Sequence, residues 1–299
     1  MDSFKTFFII NPRAGDGKGR RKWPSIVREL EKSDFGPIHY SFTEGPGHAT
    51  TLATEVLKNG FEMVVAVGGD GTIHEVVNGF FANGQLVNEK SCLGILSLGR
   101  GNDLIRALKR SPKIKEQVKL LQGQNCRMID LGKIGYLSPD GKRQDRYFAN
   151  VADAGLGGDV VRRLNNFPTI LGGTVAYLGS ALSSFFLYRN KRVVVTIDGK
   201  PLAEKKVCAV IVANGQSFGG GLKVTPRAKV DDGLLDILIV EDFHTLDFLI
   251  TLPRLYAGSI DRSRSRKIHY RKGKKVHITS DERVLLDVDG EQPGFLPAA

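Results

Sequence analysis

The sequence predicts an α/β domain with a parallel sheet, followed by an all-β domain with antiparallel strands. Over residues 1–130, short apolar segments alternate with segments of helical spacing, which is typical of a parallel sheet covered by helices. Glycine-rich segments follow three of the apolar segments, and ligands of such sheets bind beyond the carboxyl ends of the strands. From about Ile129 the helical segments become sparse, and strands joined by turns replace them.

The first domain is predicted to hold four strands and four helices. The strands are residues 5–11, 38–42, 63–67 and 92–98, and the helices are residues 23–32, 48–58, 73–82 and 102–109. In the second domain, residues 131–299, the predicted strands are 193–198, 206–213, 234–240, 267–271, 275–279 and 284–289. Asp198-Gly199 and Asp232-Gly233 are predicted turns.

Composition is ordinary for a soluble globular protein, with 41% hydrophobic and 25% charged residues in a chain of 299. Three scattered cysteines are too few for a disulfide framework or a zinc site, so we expect a reducing compartment. Residues 165–188 carry no charge, but glycines, a proline and polar residues dilute them. We expect a half-buried helix there rather than a membrane span, and a helix lying on a membrane surface is the intermediate alternative.

The net charge of +11 is unevenly spread along the chain. Residues 254–275 hold nine Lys or Arg and one Asp, which predicts an anionic partner: nucleic acid, a phosphorylated substrate or an acidic membrane surface. A solvated strand edge protected by lysine and arginine is the alternative. Nucleic acid is disfavoured because Tyr270 is the only aromatic residue between positions 262 and 275.

The segment VGGDGT at 67–72 has the strand, glycine turn and helix order of a phosphate-binding loop. Its glycines let backbone N–H groups approach an anion, and the following helix adds its dipole. Asp70 would repel a bare phosphate, so we expect a divalent cation between them. A tight turn capped by Asp70 is the alternative. Further loops at 11–19, 43–49 and 99–103 favour the nucleotide interpretation.

The chain resembles the diacylglycerol kinase catalytic-domain family, which includes sphingosine kinases, ceramide kinases and soluble bacterial lipid kinases. The matching motifs are NPRAG at 11–15, TEGPGHA at 43–49, VGGDGTIHEVVNG at 67–79, LGRGNDLIRAL at 98–108, NGQSFGGGLKVTPRAKVDDGLLD at 214–236 and DGE at 289–291. The resemblance implies a nucleotide-binding domain like those of NAD kinases and phosphofructokinases over 1–130. It also implies a β-sandwich lipid-substrate domain over 131–299, with the active site in a cleft between the two.

The resemblance also implies which residues bind the cofactors, ATP and Mg²⁺. The implied nucleotide contacts are Asn11, Pro12, Arg13, Ala14, Gly15, Thr43, Gly68, Gly69, Asp70, Gly71, Thr72, Ile73, His74, Glu75, Arg100, Asn102 and Asp103. The implied metal ligands are Asp70, Asp103 and Asp130 near the nucleotide, and Lys229, Asp232 and Leu234 at a second ion. The family commonly has threonine at the position of Arg100 and phenylalanine at that of Leu104. We expect Arg100 either to contact phosphate through its charge or to alter the affinity for the nucleotide.

The family's catalytic base corresponds to Asp289 or Glu291, and the sequence does not distinguish them. If residues 284–291 were extended, Asp287, Asp289 and Glu291 would point to one face, because side chains alternate along a strand. A carboxylate there would orient the attacking hydroxyl and accept its proton. Without the resemblance, a solvated acidic turn would be the simpler interpretation.

We therefore expect an ATP- and Mg²⁺-dependent lipid kinase that converts diacylglycerol to phosphatidic acid. The alternatives are a kinase of phosphatidylglycerol, a sphingoid base, a soluble alcohol or NAD, and, least favoured, a non-catalytic protein that binds lipid or nucleic acid. The expected location is the cytoplasm, with peripheral attachment to an anionic membrane through the basic residues 262–275. A homodimer is left open.

Overall fold

The computed structural model describes residues 4–33, 35–99, 101–123, 125–165, 183–184 and 186–299. The chain divides into two compact units, Met1–Ile129 and Asp130–Ala299. The first unit is α/β, and its sheet has four strands in the order β2, β1, β3, β6, all of them parallel. These strands are β1 (Thr6–Ile10), β2 (His39–Phe42), β3 (Met63–Gly68) and β6 (Cys92–Ser97). The predicted parallel sheet is confirmed.

The described residues of the first unit form five helices and a small hairpin. The helices are α1 (Ala14–Lys32), α2 (His48–Lys58), α3 (Asp70–Gly79), α4 (Asp103–Ala107) and α5 (Ile114–Gln122). The hairpin pairs β4 (Phe81–Ala82) with β5 (Gln85–Leu86). Helix α5 and the hairpin were not expected from the sequence. Strand β3 is buried along its whole length, so its unbroken apolar run reflects a central parallel strand.

Helix α1 begins nine residues before its predicted start, because the glycines after β1 belong to the helix rather than to a loop. A Cβ on Gly19 would lie 1.9 Å from the carbonyl oxygen of Asn11, and one on Gly15 would lie 2.4 Å from that of Leu98. These glycines therefore allow close contact between backbones. Helix α3 likewise begins at Asp70, inside the predicted glycine turn.

A disulfide joins Cys92, the first residue of β6, to Cys126 beyond α5. This pairing was not expected, because three scattered cysteines do not predict a disulfide framework. The two cysteines are separated by 34 positions in sequence, and they come into contact because α5 returns the chain to the edge of the sheet. The third cysteine, Cys208, is a buried free thiol in the second unit.

The second unit is built on antiparallel strands, as predicted. A sheet runs β11, β10, β12, β13, β14, while β15 pairs with β10 and β9 pairs with β12 and β16. Its strands are β9 (Val151–Gly155), β10 (Lys191–Ile197), β11 (Lys200–Pro201), β12 (Lys205–Ala213), β13 (Leu235–Glu241), β14 (Ile268–Gly273), β15 (Val276–Thr279) and β16 (Leu286–Val288). A separate antiparallel hairpin joins β7 (Gly132–Leu137) and β8 (Arg143–Phe148).

Two helices and a short 3₁₀ helix complete the described part of this unit: α6 (Leu156–Asn165), α7 (Thr245–Ala257) and Ile260–Arg262. Strands β7 to β9 and both α-helices were not predicted. Strand β8 is mostly polar, and α7 contains Pro253, so neither shows a simple apolar pattern. The uncharged stretch 165–188 lies mostly outside the described residues, since 166–182 and 185 are not among them. Among the described residues, no helix is long and apolar enough to cross a membrane.

Two apolar cores stabilise the second unit. One is formed by inward-facing side chains of β7 to β10, β12, β13, β15 and β16, with Phe148, Val210 and Leu286 at its centre. The other covers the opposite face of β12 and β13 and packs against α7 through Leu255. Alternate residues of β12 enter different cores, which is the expected period of two along a strand.

Candidate active site

Three loops meet beyond the carboxyl ends of β1, β3 and β6 in the first unit. The Asn11 Nδ2 atom donates a hydrogen bond to Thr72 Oγ1 at 3.1 Å, which joins the first loop to the second. The Leu98 N–H group donates to the Gly68 carbonyl at 2.7 Å. A Cβ on Gly99 would lie 2.8 Å from the Gly69 Cα, so the second and third loops are in backbone contact. The three glycine-rich segments therefore form one site, as the parallel sheet predicted.

The N-terminus of α3 opens at this edge. Gly69 is its N-cap, and no side chain caps the first turn. A Cβ on Gly68 would lie 2.3 Å from Thr72 Oγ1, so glycine is needed where the chain turns into the helix. An uncapped helix N-terminus offers backbone N–H groups and the positive end of the helix dipole. The geometry suits a phosphate group.

Asp70, in the first turn of α3, reaches across to the start of α4. Its Oδ1 atom accepts hydrogen bonds from the N–H groups of Asp103, at 3.0 Å, and Leu104, at 3.4 Å. The Asp70 carboxylate therefore caps α4, whose own N-cap residue, Asn102, has a left-handed backbone with φ 53°. A role as a capping aspartate therefore accounts for only one of its two carboxylate oxygens.

The second oxygen of Asp70 faces another carboxylate. A Cβ on Gly101 would lie 2.6 Å from Asp70 Oδ2 and 3.3 Å from Asp103 Oδ2, so both oxygens border the same point. Burial, and then the charge of Asp103, raises the pKa of Asp70. Arg106 Nη1 contacts Asp103 Oδ1 at 3.1 Å and offsets part of this charge. Two neighbouring carboxylates beside a phosphate-binding helix end are a donor set that fits Mg²⁺.

Other implied nucleotide contacts have local structural partners. The two Glu75 carboxylate oxygens accept the N–H groups of Gly47, at 2.9 Å, and Ala49, at 3.1 Å, and so cap α2. Thr43 donates its N–H to Ile10 at 2.8 Å, which holds the loop after β2 beside β1. The remaining members of the set differ in exposure: Ala14, Thr72, Ile73 and His74 are buried, Pro12 and Gly15 are half-buried, and Arg13 and Gly71 are exposed. Arg100 lies outside the described residues.

The third member of the implied acidic network, Asp130, belongs to the second unit. Its Oδ2 atom accepts the Gly233 N–H at 2.7 Å, and its backbone N–H donates to Val230 at 2.6 Å. Asp130 therefore lies beside the loop that was expected to hold the second ion. Asp70 and Asp103 are brought together within the first unit.

The loop expected to hold that ion already has a positive charge nearby. Asp232 Oδ2 lies 3.0 Å from the Lys272 ammonium nitrogen, and Asp232 Oδ1 accepts the Leu234 N–H at 3.2 Å. Asp232 is thus paired with Lys272, and a second ion held by Lys229, Asp232 and Leu234 stays a prediction. Across the described residues, no group of three or more His, Cys, Asp or Glu side chains is arranged to hold a metal.

The acidic C-terminal segment is a turn rather than an extended strand. Strand β16 ends at Val288, and the next two residues, Asp289 and Gly290, have φ of 50° and 89°. Val288 and Glu291 exchange backbone hydrogen bonds at 2.8 and 3.1 Å across this turn. The expectation that alternate acidic side chains share one face is therefore wrong, because the chain reverses at Asp289.

The two candidate bases have different surroundings. Both carboxylate oxygens of Asp289 accept backbone N–H groups: Oδ2 from Ala149 at 2.8 Å, and Oδ1 from Asn150 at 3.1 Å and Val151 at 2.8 Å. Glu291 is half-buried, and its Oε2 lies 2.5 Å from Arg146 Nη1. Asp289 thus joins the turn to β9, while Glu291 projects to a guanidinium group. The polar strand β8 gave no sequence signal that Arg146 belongs here.

A buried carboxyl pair was also missed. Asp287 on β16 lies opposite Asp153 on β9 in the strand register, and their exposed fractions are 5% and 2%. Asp153 Oδ2 accepts the Gly157 N–H at 2.7 Å, but its Oδ1 atom has no hydrogen-bond partner. Burial raises the pKa of Asp153 to about 7. For Asp287, burial and then the charge of Asp153 raise the pKa well above its usual value.

A cavity of about 420 Å³ lies in the second unit. Its lining is largely apolar and includes Ile134, Phe148, Val210, Val212, Ile278 and Leu286. Three lysines, Lys133, Lys274 and Lys275, also line it. A cavity of this size and lining suits the hydrocarbon part of an amphiphile with a negatively charged or polar head.

The first unit is α/β and has a helix N-terminus suited to phosphate beside a pair of carboxylates. An antiparallel β unit follows it in the chain. This fold and site are those of the phosphotransferase class. Comparison with known proteins gives the particular family. The family model "Diacylglycerol kinase catalytic domain" matches residues 5–134. The family model "YegS C-terminal NAD kinase beta sandwich-like domain" matches residues 150–299.

Curated relatives match along nearly the whole chain. A diacylglycerol kinase of Staphylococcus saprophyticus is 30% identical over 293 residues, with 97% of this chain and 89% of the relative covered. One of Bacillus subtilis is 28% identical, with 97% and 90% covered. A crystal structure of a diacylglycerol kinase from Bacillus anthracis has the same fold, with a TM-score of 0.68, 23% identity, and 100% and 93% covered. The chain belongs to the diacylglycerol kinase family, and it is a kinase with an alcohol acceptor.

Proposed function

We propose that this enzyme transfers the γ-phosphoryl group of ATP, in the presence of Mg²⁺, to the free hydroxyl of diacylglycerol and releases ADP and phosphatidic acid. The observation that carries the proposal is the pairing of Asp70 and Asp103 beside the open N-terminus of α3. We also propose that the enzyme works in the cytoplasm, attached peripherally to the membrane that holds its lipid substrate.

On this proposal, the loop of residues 68–72 binds the ATP phosphates through its backbone N–H groups. Asn11 and Thr43 border the same edge and position the nucleotide. Asp70 and Asp103 would hold Mg²⁺, which neutralises the phosphate charge when it is bound. Asp70 has two tasks, because one of its oxygens also fixes the start of α4.

We assign the general base to Glu291 rather than to Asp289. The oxygens of Asp289 are already engaged with three backbone N–H groups, so withdrawing one to accept a proton would expose buried donors. Glu291 is partly exposed and is oriented by Arg146. As the lipid hydroxyl oxygen bonds to the γ-phosphorus, its proton passes to the Glu291 carboxylate, and the bond to the ADP oxygen breaks.

A lipid acceptor is supported by the apolar cavity of the second unit, because two acyl chains need an apolar environment that a soluble alcohol would not. The lysines among the lining residues suit a polar or anionic head. The family names of the relatives support diacylglycerol in particular.

The test is transfer of labelled γ-phosphate from ATP to a panel of acceptors: diacylglycerol, phosphatidylglycerol, sphingosine and NAD. We expect Mg²⁺-dependent labelling of diacylglycerol by the wild type, with at least about a hundredfold less by Asp70→Asn and Glu291→Gln. The exposed-site variant Asp281→Asn is the matched control and should keep full activity. Labelling of another acceptor alone, or undiminished labelling by both active-site variants, would contradict the proposal.

A further inference from the structure

Helix α7 carries large apolar side chains that no other part of the described chain covers. Leu246, Leu249 and Ile250 are 68%, 54% and 68% exposed, and Pro253 is also exposed. Their spacing of three and four residues places them on one face of the helix. Exposed apolar residues that are scattered need no explanation, but a continuous row along a helix marks an interaction surface. We call these four residues the apolar ridge.

The opposite face of α7 is already in use. Leu255 is buried in the second core of this unit, and Phe248 packs against the same core. At 3.6 residues per turn, Leu255 lies half a turn away from Leu246, so the ridge points away from the core. Because α7 packs on the core through its buried face, the ridge on the opposite face stays exposed.

Three exposed arginines lie beside this helix. Arg262, Arg264 and Arg266 are exposed, and none forms a salt bridge with a described carboxylate. Arg254 Nη1 donates to Ser263 Oγ at 3.2 Å, which holds this arginine-bearing segment against the C-terminal part of α7. We call Arg262, Arg264 and Arg266 the arginine rim.

Two neighbouring lysines differ from the rim because they form salt bridges. Lys267 contacts Asp247 at 2.7 Å, and Lys272 contacts Asp232 at 3.0 Å. The rim arginines therefore keep positive charge that no described salt bridge balances, as do Arg271, Lys274 and Lys275 further along the chain. Some charges of the basic run thus form salt bridges within the protein, and others are available to a partner.

We propose that the apolar ridge and the arginine rim together dock the enzyme on a phospholipid bilayer that carries anionic headgroups. The ridge enters the boundary between headgroups and acyl chains, as apolar faces of interfacial helices do, and the rim binds lipid phosphates. Nucleic acid would use the rim but not the aliphatic ridge, and a second copy of the chain would have to supply a complementary anionic surface. This inference rests on the proposed lipid acceptor and adds the surface by which the enzyme reaches it.

The test is co-sedimentation with vesicles of phosphatidylglycerol and phosphatidylcholine, compared with vesicles of phosphatidylcholine alone. A ridge variant (Leu246→Gln, Leu249→Gln, Ile250→Gln) should bind the anionic vesicles at least about tenfold less tightly. A rim variant (Arg262→Gln, Arg264→Gln, Arg266→Gln) should lose a similar factor at low salt and show a flatter salt dependence. Exposed residues of the first unit supply the matched controls, Leu120→Gln and the triple variant Lys109→Gln, Arg110→Gln, Lys115→Gln, which should bind like the wild type.

A second measurement does not depend on the triple variant folding. Ile250→Trp should show a blue shift of its fluorescence when anionic vesicles are added, and Leu120→Trp should show none. Wild-type vesicle binding by a folded ridge variant, or the absence of the Ile250→Trp shift, would overturn the proposal. A ridge variant that dissociates a wild-type dimer and binds vesicles normally would also overturn it and assign the ridge to a second copy.

Activity on a short-chain diacylglycerol dispersed below its aggregation concentration separates this inference from the proposed function. The ridge and rim variants should keep their activity on that acceptor and lose it on vesicle-bound diacylglycerol. Equal loss on both acceptors would count against docking. The wild type could also phosphorylate neither acceptor and still bind vesicles through the ridge. That result would contradict the proposed function and support the docking surface.

Discussion

The N–H group of Asp103 donates a hydrogen bond to Asp70 at 3.0 Å, and the Oδ2 atoms of the two residues border the same point beside Gly101. One interaction fixes the start of α4, and the other brings two negative charges together. The helix start is therefore held in place by the same residue whose second oxygen is available to a metal. Such crowding of like charges is unfavourable for the free protein and useful to an enzyme that binds a cation.

Replacing Asp70 with asparagine should separate these two effects. The amide oxygen can still accept the Asp103 N–H, and the repulsion between the carboxylates disappears. We expect a melting temperature equal to or above that of the wild type, with phosphoryl transfer reduced at least about a hundredfold. Thermal unfolding and kinase assays on the same preparation test this. A variant that melts well below the wild type would show that the charge of Asp70 is needed for folding.

Gly101→Ala should impair catalysis without unfolding the protein. The new methyl group would lie 2.6 Å from Asp70 Oδ2 and 3.3 Å from Asp103 Oδ2, so the carboxylates must move apart. We expect about a tenfold or greater loss of kcat/KM with a small change in melting temperature. Gly123→Ala is the matched control, because its methyl group would meet only ordinary contacts of 3.5 Å or more. Unchanged kinetics for Gly101→Ala would argue against a shared site for the two carboxylates.

Asp289 and Glu291 should give opposite mutational profiles. Asp289→Ala leaves three backbone N–H groups without their acceptor, so we expect a loss of stability of about 3 kcal/mol or more. Glu291→Gln should change stability by less than about 1 kcal/mol and reduce kcat by about 10²–10⁴, with little change in KM for ATP. Denaturant titration and steady-state kinetics measure both quantities. A fully active Glu291→Gln enzyme would exclude Glu291 as the base.

The buried carboxyl of Asp153 should make stability depend on pH. Its pKa is raised from 3.8 to about 7, so the folded state retains a proton that the unfolded state releases between those values. Stability therefore falls as pH rises from about 4 to about 7. Asp287, opposite it, acts in the same direction, because its pKa is also raised.

Asp153→Asn, which mimics the protonated acid, should melt at least about 5 °C above the wild type at pH 8 and near it at pH 4. Asp281→Asn, at an exposed position, should show no such difference. Melting curves across this pH range give the answer. Parallel pH profiles for wild type and Asp153→Asn would mean that Asp153 is ionised throughout.

Reduction of the Cys92–Cys126 disulfide should destabilise the first unit. It closes a loop of 34 residues in sequence, for which the loss on reduction is about 3–4 kcal/mol. Dithiothreitol should lower the melting temperature of the wild type, whereas Cys126→Ser should melt lower at the outset and not respond. The free thiol Cys208 is common to both proteins. Equal responses of the two proteins to dithiothreitol would show that the disulfide does not form in solution.

The sequence by itself determined the class of both units and the edge of the sheet at which the glycine-rich loops meet. Alternation of apolar strands with helices can be satisfied only by a parallel sheet with short crossovers, and the glycine segments then meet at one edge. The resemblance carried by its motifs led to the correct family. Strand β3 and helix α2 were predicted almost to their ends, because both have strong apolar patterns.

Only the tertiary structure decided which acidic residues share a site and what each one does. The distance between Asp70 and Asp103 depends on how two loops pack, and the pairing of Asp153 with Asp287 depends on strand register. The difference between Asp289 and Glu291 follows from a turn with positive φ, which reverses a segment that the alternating pattern predicted to be extended. Local sequence fixes the period of an element, whereas contacts between elements distant in the chain fix the surroundings, and hence the chemistry, of each charged group.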